Sequence, residues 1–383
     1  MKSELGVTVG TVSRGYAEAT RRGLITDEVG RVTFVQTDAM NRPRDTPMEW
    51  PTSDRLGGNA INMATNAIPL AGQEQVFAEG LQEISADPQF AKHLIYRPNL
   101  GRADVREAAA RWIGETTGLD IPSDQTFITS GTQNGLAVAF HLVAKPGDTV
   151  LVERLTYPGI KVTARTMQVR LSGVDMDEDG MIPESLDAAY RALHPRLIVC
   201  VPTIQNPLSS VMPDERRREI AEVADRHGVP ILEDGIYGFL HDHQPAPIMR
   251  YTQTPVYFAT GFSKAVSPAL RTGFLIAPSS RNDDATGIMA AMSLHAPLLM
   301  TELAKRWINS GMVATFEKIV RDEACARQKI AKERLAGLEI QSHPAGFHVW
   351  VTLPEPWRSS DFSREAEKRG VIVTPYRSPY VFL

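Results

Sequence analysis

A lysine and an acidic residue lie one strand and one helix apart in the second half of the chain. Lys264 belongs to Gly261-Phe262-Ser263-Lys264, directly after an apolar stretch, and Asp234 ends an earlier apolar run with Tyr237 three positions on. A lysine amine can form a Schiff base with an aldehyde cofactor, and a carboxylate can keep a pyridine nitrogen protonated so that the ring accepts electrons. These residue types at this spacing predict a site for pyridoxal phosphate.

A second segment has the pattern of a phosphate site. Ser130-Gly131-Thr132-Gln133 follows a predicted strand and opens a predicted helix, so its backbone amides and the positive helix end could hold a phosphate. Junctions of this kind are common, and an ordinary turn is the alternative. Arg271, seven positions after Lys264, could clamp the same phosphate with two parallel hydrogen bonds or simply lie on the surface.

Three side chains could contact the cofactor ring. Asn206, directly before Pro207, could bond the phenolic oxygen, although Asn before Pro is also common in turns. Tyr237 could donate a second bond to that oxygen and lower the Schiff-base pKa, or it could be a half-buried core tyrosine. Asp234 ends a strand, where ligands bind in open α/β sheets, but it could instead cap a helix.

Composition excludes several classes of protein. With 383 residues, 43% of them hydrophobic and 22% charged, and a net charge of -4, the chain is predicted to be globular with two or more domains. Cys200 lies in an apolar run and Cys325 on a predicted helix, so neither a disulfide framework nor a cysteine-based zinc site is expected. No apolar run approaches the length of a membrane span, so a cytoplasmic location and no membrane partner are predicted.

From about residue 59 onward, short apolar runs alternate with amphipathic helices such as Asp214–His227. This alternation predicts an α/β domain with a mostly parallel sheet. The helical stretch 312–335 and the strand-like stretch 346–353 predict a smaller α+β domain after it. The predicted strands of the large domain are residues 127–130, 149–153, 197–201, 229–233, 256–260 and 273–277.

Residues 1–36 have a different pattern. Thr8 can cap a helix that ends at Gly23, and two short strands around residues 27–30 follow. A turn, a helix and a β wing in this order suggest the second half of a winged helix-turn-helix, with Thr8, Thr11 and Arg14 placed to contact DNA. The segment has five basic and four acidic side chains, which is no strong basic footprint, and an ordinary helical arm is the alternative. Residues 37–58, rich in proline and glycine, are interpreted as a linker.

Two other charged segments are interpreted more simply. Arg216-Arg217-Arg218 begins a predicted helix, and a solvated helix face is expected there. His241-Asp242-His243 has chelating side chains, but it lies in a polar loop, so no metal site is predicted.

Residues from about 59 to 383 resemble a class I/II aminotransferase domain of the pyridoxal phosphate fold type I. Preceded by a partial winged helix that resembles the GntR type, the whole chain resembles a MocR-type regulator. The segments that carry the resemblance are residues 96–101, 129–133, 153–159, 202–207, 233–237 and 263–273.

The resemblance implies pyridoxal 5′-phosphate as the cofactor, joined to Lys264 as a Schiff base, with Asp234 at the pyridine nitrogen. It also implies that Asn206 and Tyr237 bond the phenolic oxygen and that Tyr157 stacks on the ring. The catalytic set would then be Lys264, Asp234 and Tyr237.

The resemblance also implies residues for the phosphate and a second subunit. Tyr96 would reach over from a partner subunit, which implies a homodimer with shared sites and an amino-acid or amine ligand. The phosphate contacts would come from Gly131, Thr132, Gln133, Ser263 and Arg271.

The chain departs from the family pattern at three places. Gly261 replaces the hydroxyl residue that usually stands three positions before the lysine, so one phosphate contact would be absent or supplied by Thr260. The arginine that usually holds a substrate α-carboxylate is expected beyond Leu383, and the helix that usually precedes Leu5 is expected before the first residue. We therefore expect a chain that is truncated at both ends.

The expected organisation is a partial winged helix-turn-helix at 1–36, a linker at 37–58, an N-terminal arm at 59–95, a large cofactor-binding domain at 96–290 and an incomplete small domain at 291–383. The expected function is that of a pyridoxal-phosphate-binding transcriptional regulator. The alternative is an aminotransferase that acts on an amino acid and a 2-oxo acid. DNA is expected as a partner of the intact protein rather than of this chain alone.

Overall fold

The computed structural model describes residues 60–97, 100–378 and 380–382, with residues 10, 14–15, 18, 25–26 and 34–35 nearer the N-terminus. The chain divides into two units, Met1–Trp50 and Pro51–Leu383. In the first unit, strands β1 (Ile25–Thr26) and β2 (Phe34–Val35) pair antiparallel, as expected for the predicted hairpin. The predicted linker lies outside the described residues.

The second unit contains the remaining described strands. In chain order they are β3 (Ile61–Asn62), β4 (Thr126–Thr129), β5 (Thr149–Glu153), β6 (Arg170–Val174), β7 (Met176–Asp177), β8 (Gly180–Met181), β9 (Leu197–Cys200), β10 (Ile231–Asp234), β11 (Val256–Gly261), β12 (Gly273–Ile276), β13 (Glu339–Gln341), β14 (Trp350–Thr352), β15 (Val371–Ile372), β16 (Thr374–Ser378) and β17 (Tyr380–Phe382).

Seven strands form the central sheet, in the order β4-β12-β11-β10-β9-β5-β6. The pairs from β11 through β10, β9 and β5 to β6 are parallel, whereas β12 runs antiparallel to both β11 and β4. The predicted α/β architecture with a mostly parallel sheet is therefore confirmed. Strands β9 and β10 are buried along their whole length, as expected when helices cover both faces of a parallel sheet.

Helices surround this sheet and extend into the C-terminal region. The α-helices span Gln73–Ser85, Ala103–Thr117, Thr132–Val143, Pro158–Thr166, Pro183–Leu193, Asp214–His227, Phe262–Ala265, Asn282–Met292, Leu298–Ser310, Met312–Arg334 and Ser359–Lys368. Short 3₁₀ helices span Phe90–His93, Ser123–Gln125, Gly238–Leu240, Ile248–Arg250, Pro268–Leu270 and Ser279–Arg281.

The core lies on both faces of the central sheet. On one face Phe127, Leu232 and Leu275 pack with helix Thr132–Val143, and on the other Ile128, Phe258 and Phe274 pack with Trp112 of helix Ala103–Thr117. Because successive residues of a strand point to opposite faces, neighbours such as Phe127 and Ile128 join different clusters.

A four-stranded antiparallel sheet, β13-β14-β17-β16, forms the C-terminal region. The strand predicted at 346–353 is shorter in the structure, where β14 spans Trp350–Thr352 and the carbonyls of Gly346 and His348 accept hydrogen bonds from the Gln328 side chain at 2.8 and 3.0 Å. Strand β3 pairs with β15 and so joins the start of this unit to its end. Among the described residues, no helix is both long enough and apolar enough to cross a membrane.

One expectation about the surface was wrong. Arg217, predicted to lie on a solvated helix face, is fully buried. Its guanidinium donates hydrogen bonds to the carbonyls of Met212 and Pro202, and it lies 3.5 Å from the carboxylate of Glu233. A buried arginine needs partners for its donors and its charge, and the strand ends supply them.

Candidate functional site

Lys264 lies where β11 gives way to the short helix Phe262–Ala265. The residue is half-buried, and its Nζ donates a hydrogen bond to the backbone carbonyl of Asn66. Loss of solvation lowers the lysine pKa to about 8, and the nearby carboxylate of Asp234 opposes part of that shift. Near neutral pH, a larger fraction of this amine is therefore neutral and nucleophilic than of an exposed lysine.

Asp234 is the last residue of β10 and is 3% exposed. Strand β10 lies beside β11, so Asp234 and Lys264 come from adjacent strand ends. Burial raises the aspartate pKa to about 7, against the opposing effects of the Ile236 amide, which donates at 3.1 Å, and of Lys264. A carboxylate held in this environment favours a cationic N–H partner.

Tyr237 and Asn206 meet beside Asp234. The Tyr237 hydroxyl accepts a hydrogen bond from the Asn66 side chain at 2.8 Å, and the nearby Asn206 amide acts to lower the pKa of the same phenol. Burial, followed by the charge of Asp234, keeps the pKa of this phenol well above its ordinary range. Burial and the same carboxylate raise the pKa of Tyr157 to about 12. The structure thus brings together the predicted ring-contacting residues.

The predicted phosphate segment lies at the N-terminus of helix Thr132–Val143. Gly131 has φ 84°, a conformation that favours glycine, and a Cβ there would lie 2.8 Å from Arg271 Nη2. Arg271 donates to the carbonyl of Ser130 at 2.7 Å. The first amides of the helix have no carbonyl of the preceding turn to bond, so this end and the guanidinium together form a cradle for an anion.

The side chain of Gln133 is bonded within the protein. Its Nε2 donates to the Gly159 carbonyl at 3.1 Å and to Thr163 Oγ1 at 2.9 Å, and so ties down the next helix. A phosphate contact from Gln133 would therefore use the backbone amide. Ser263 is half-buried on the same short helix as Lys264.

The structure explains why residue 261 is a glycine. A Cβ there would lie 2.8 Å from Gly273 Cα and 2.8 Å from Thr132 Oγ1. The family hydroxyl would therefore collide with the Thr132 hydroxyl. Thr260 Oγ1 lies 3.5 Å from the Gly235 carbonyl oxygen, whereas the buried Thr132 Oγ1 has no hydrogen-bond partner among the described residues and so has a hydroxyl available for a ligand.

Several buried polar atoms at this site lack a hydrogen-bond partner within the described part of the chain. They are Asn66 Oδ1, Thr132 Oγ1, Gln133 Oε1 and Asn206 Oδ1. Buried polar groups usually find partners, so such a cluster indicates a polar ligand. A lysine amine, a buried carboxylate, amide side chains and an anion cradle fit the aldehyde, ring nitrogen, phenolic oxygen and phosphate of pyridoxal phosphate.

The other predicted site residues lie elsewhere. Tyr96 is 82% exposed, and its ring centroid is 6.1 Å from that of His295. Thr8 and Thr11 lie outside the described residues. Arg14 is exposed and donates to the Gly10 carbonyl at 3.3 Å.

Sequence reasoning missed three residues of the site. Asn66 and His348 contact Tyr237 from segments 171 and 111 positions away. Glu153, fully buried at the end of β5, has its pKa raised to about 8 by burial, although Gln205 donates to it at 3.1 Å. The position of Glu153 at a strand end was a usable signal, whereas Asn66 lies in an irregular segment with no pattern.

Comparison with known proteins gives a family-level result. A sequence profile described as aminotransferase class I and II matches residues 58–381. The chain is 25% identical to the uncharacterized HTH-type transcriptional regulator YdeF of Bacillus subtilis (strain 168) over 373 residues, which is 96% of this chain and 78% of the relative. It is 30% identical to the uncharacterized HTH-type transcriptional regulator YjiR of Escherichia coli (strain K12), over 76% of this chain and 66% of the relative.

Solved structures share the fold. A Pyrococcus horikoshii kynurenine aminotransferase in complex with PMP superposes with a TM-score of 0.78 at 23% sequence identity, covering 91% of each chain. This agreement confirms the predicted fold type I architecture of residues in the second unit, and with the family match it supports pyridoxal phosphate as the cofactor of the domain.

Proposed function

The chain belongs to the aminotransferase class I and II family, and on that basis we propose that it is a pyridoxal-phosphate-binding transcriptional regulator of the MocR type. In this proposal the aminotransferase-like domain binds the cofactor and an amino-acid or amine effector. The N-terminal unit binds DNA, and two copies of the chain form the working assembly.

The observation that carries the proposal is the extent of the match to a relative named as an HTH-type transcriptional regulator. That match covers 96% of the chain, so the part of the chain outside the match is shorter than residues 1–36, the predicted winged-helix segment. Part of the N-terminal segment therefore aligns with the regulator together with the aminotransferase-like domain. The antiparallel pair β1 and β2 supports the same proposal, because a winged helix-turn-helix contains such a hairpin after its recognition helix.

Within the cofactor site, each residue has a proposed task. When bound, pyridoxal phosphate supplies an aldehyde that reacts with amines and a ring that accepts electrons. The Lys264 amine holds the aldehyde covalently, and its lowered pKa favours the neutral form that this requires. Asp234 accepts the hydrogen of the ring nitrogen, and its burial strengthens that contact because little water competes for it.

The remaining contacts orient the cofactor. Tyr237 and Asn206 bond the phenolic oxygen, and Tyr157 covers a face of the ring. The N-terminus of helix Thr132–Val143 and the guanidinium of Arg271 would hold the phosphate through charge-assisted hydrogen bonds.

DNA binding by the intact protein tests the regulator proposal. Duplexes would be selected from a random library at about 0.15 M salt with pyridoxal phosphate present, then compared with scrambled duplexes of the same composition by fluorescence anisotropy. We expect a preference of about 10³-fold or more for the selected duplex. Equal binding to both duplexes would overturn the proposal.

A matched pair of arginine variants sharpens this test. Arg14→Ala is expected to weaken binding to the selected duplex about tenfold. Arg364→Ala removes an arginine whose side chain is 64% exposed on helix Ser359–Lys368, and it is expected to leave binding unchanged. Equal effects of the two substitutions would argue against a DNA contact by Arg14.

A second candidate function is amino transfer, in which Lys264 also moves a substrate proton. The observation that favours it is the position of the half-buried Lys264 beside Asp234 at adjacent strand ends, where burial lowers the lysine pKa to about 8, a value that suits a general base near neutral pH. Amino transfer would be supported if an amino acid converts the bound cofactor to its pyridoxamine form, as measured by absorbance. No conversion across a panel of amino acids would exclude simple transamination.

A further inference from the structure

Three side chains from distant parts of the sequence meet at one hydroxyl group. The Tyr237 hydroxyl lies 2.8 Å from Asn66 Nδ2 and 3.3 Å from His348 Nε2. Asn66 Nδ2 also forms a short hydrogen bond with His348 Nε2. The histidine therefore contacts both the tyrosine and the amide that bonds to that tyrosine.

The histidine ring is neutral in this environment. His348 is 1% exposed, and burial, followed by the charge of Lys264, lowers its pKa to about 3. A neutral imidazole has one nitrogen that donates and one that accepts. Because the Asn66 side-chain nitrogen donates, Nε2 is the accepting nitrogen, and the ring hydrogen is on Nδ1.

The hydrogen bonds around Tyr237 determine where its own hydroxyl hydrogen can point. Its oxygen accepts a hydrogen bond from Asn66 Nδ2, and the other group within hydrogen-bond distance of it among the described residues is His348 Nε2. The lone pair of His348 Nε2 is already used by Asn66. The hydroxyl hydrogen of Tyr237 is therefore left for a ligand.

We propose that His348 is a positioning residue that fixes the side-chain amide of Asn66 and thereby directs the Tyr237 hydrogen toward the phenolic oxygen of bound pyridoxal phosphate. The inference rests on the proposed role of Tyr237. The ionisable groups that act on this cluster are Lys264 at His348, and Asp234 and Tyr157 at Tyr237.

Absorbance of the cofactor-loaded protein against pH measures the effect. A hydrogen bond donated by Tyr237 lowers the spectroscopic pKa of the bound cofactor, so Tyr237→Phe should raise it by about one unit. His348→Phe keeps the ring volume but removes the acceptor, and it should raise the same pKa by about half as much.

Two further variants separate the acceptor from packing. A glutamine side chain places its oxygen near the position of Nε2, so His348→Gln should restore the native value. An asparagine reaches only the position of Nδ1, so His348→Asn should resemble His348→Phe. His343→Phe makes the same exchange at a half-buried histidine that packs against His241, outside the site, and should change nothing.

The double variant distinguishes failure of the inference from failure of the underlying role. If His348 acts through Tyr237, adding His348→Phe to Tyr237→Phe produces no further shift. Fully additive shifts, or a His348→Phe protein with the native value, overturn the inference alone. A native value in Tyr237→Phe refutes the proposed role of the tyrosine and the inference with it.

The protein without cofactor offers an independent measurement. Nitrogen-15 NMR of the ring should show an accepting Nε2 and a protonated Nδ1 for His348 at neutral pH. The opposite tautomer would mean that Asn66 presents its oxygen to the ring, and it would overturn the proposal.

Discussion

Replacing Gly261 with serine restores the hydroxyl residue that related proteins place three positions before the lysine, and we expect it to damage this protein. A Cβ at this position would lie 2.8 Å from Gly273 Cα, 2.8 Å from Thr132 Oγ1 and 2.9 Å from the Thr272 carbonyl oxygen. Gly261 has φ 164° and ψ −172°, an extended conformation that any residue adopts, so the cost is steric. Overpacking usually costs about 1–3 kcal/mol.

We expect a cost of about 3 kcal/mol because two of the three close atoms, Gly273 Cα and the Thr272 carbonyl oxygen, are backbone atoms at the start of β12. Strand β12 is paired with β11 on one side and with β4 on the other. Shifting it would disturb two strand pairs at once. For a domain of this size, about 2–3 kcal/mol corresponds to a fall in Tm of roughly 3–4 °C. Displacement of the Thr132 hydroxyl should also weaken cofactor binding about tenfold, the effect of losing one charge-assisted hydrogen bond.

Calorimetry of the cofactor-free proteins measures the first effect, and absorbance titration with pyridoxal phosphate measures the second. Gly287→Ser is the matched control, because a Cβ at Gly287, in helix Asn282–Met292, meets no atom within 4 Å. Its Tm should be unchanged or slightly higher, since serine favours a helix more than glycine does. A Gly261→Ser protein with the native Tm and native cofactor affinity would refute this steric reasoning.

Two further predictions concern buried carboxyl groups. Asp234→Asn should raise the pyridoxal phosphate concentration for half-saturation about tenfold or more, because a charged hydrogen bond to the ligand is lost. It should not lower the Tm, because the substitution removes a buried charge. Native affinity in an absorbance titration would contradict this prediction. Burial raises the pKa of Glu317 to about 7, although Trp112 and Arg321 oppose the shift. Because this pKa is higher in the folded than in the unfolded state, ionisation of Glu317 lowers the stability of the native protein as pH rises. The difference in Tm between Glu317→Gln and the native protein should therefore increase in favour of the variant between about pH 4.5 and 7 and stay constant above that. A difference in Tm that does not change with pH in calorimetry would contradict this prediction.

Much of the site could be predicted because its residues lie at the ends of strands with simple local patterns. Asp234, Lys264 and Gly131 each follow a short apolar run, and parallel strands bring such ends to one edge of a sheet. The helix predicted at Asp214–His227 has the same bounds in the structure. Strand direction is less accessible from sequence, and the antiparallel β12 in a mostly parallel sheet was not foreseen.

What could not be predicted depends on contacts between distant segments. Asn66 has no periodic pattern around it, and its function depends on Lys264, Tyr237 and His348, which come from three other segments. Arg217 looked like a surface residue because charge is usually solvated. Its burial follows from partners on other elements, such as the Pro202 carbonyl and Glu233, which no local pattern reveals.

Covalent attachment of the cofactor to Lys264 is the most direct test of the account. The protein would be saturated with pyridoxal phosphate, reduced with borohydride, digested and mapped by mass spectrometry, with Lys264→Ala treated in parallel. We predict a phosphopyridoxyl group on the peptide that contains Lys264 and none in the variant. A native protein with no adduct, or an adduct that persists at the site in Lys264→Ala, would contradict the account.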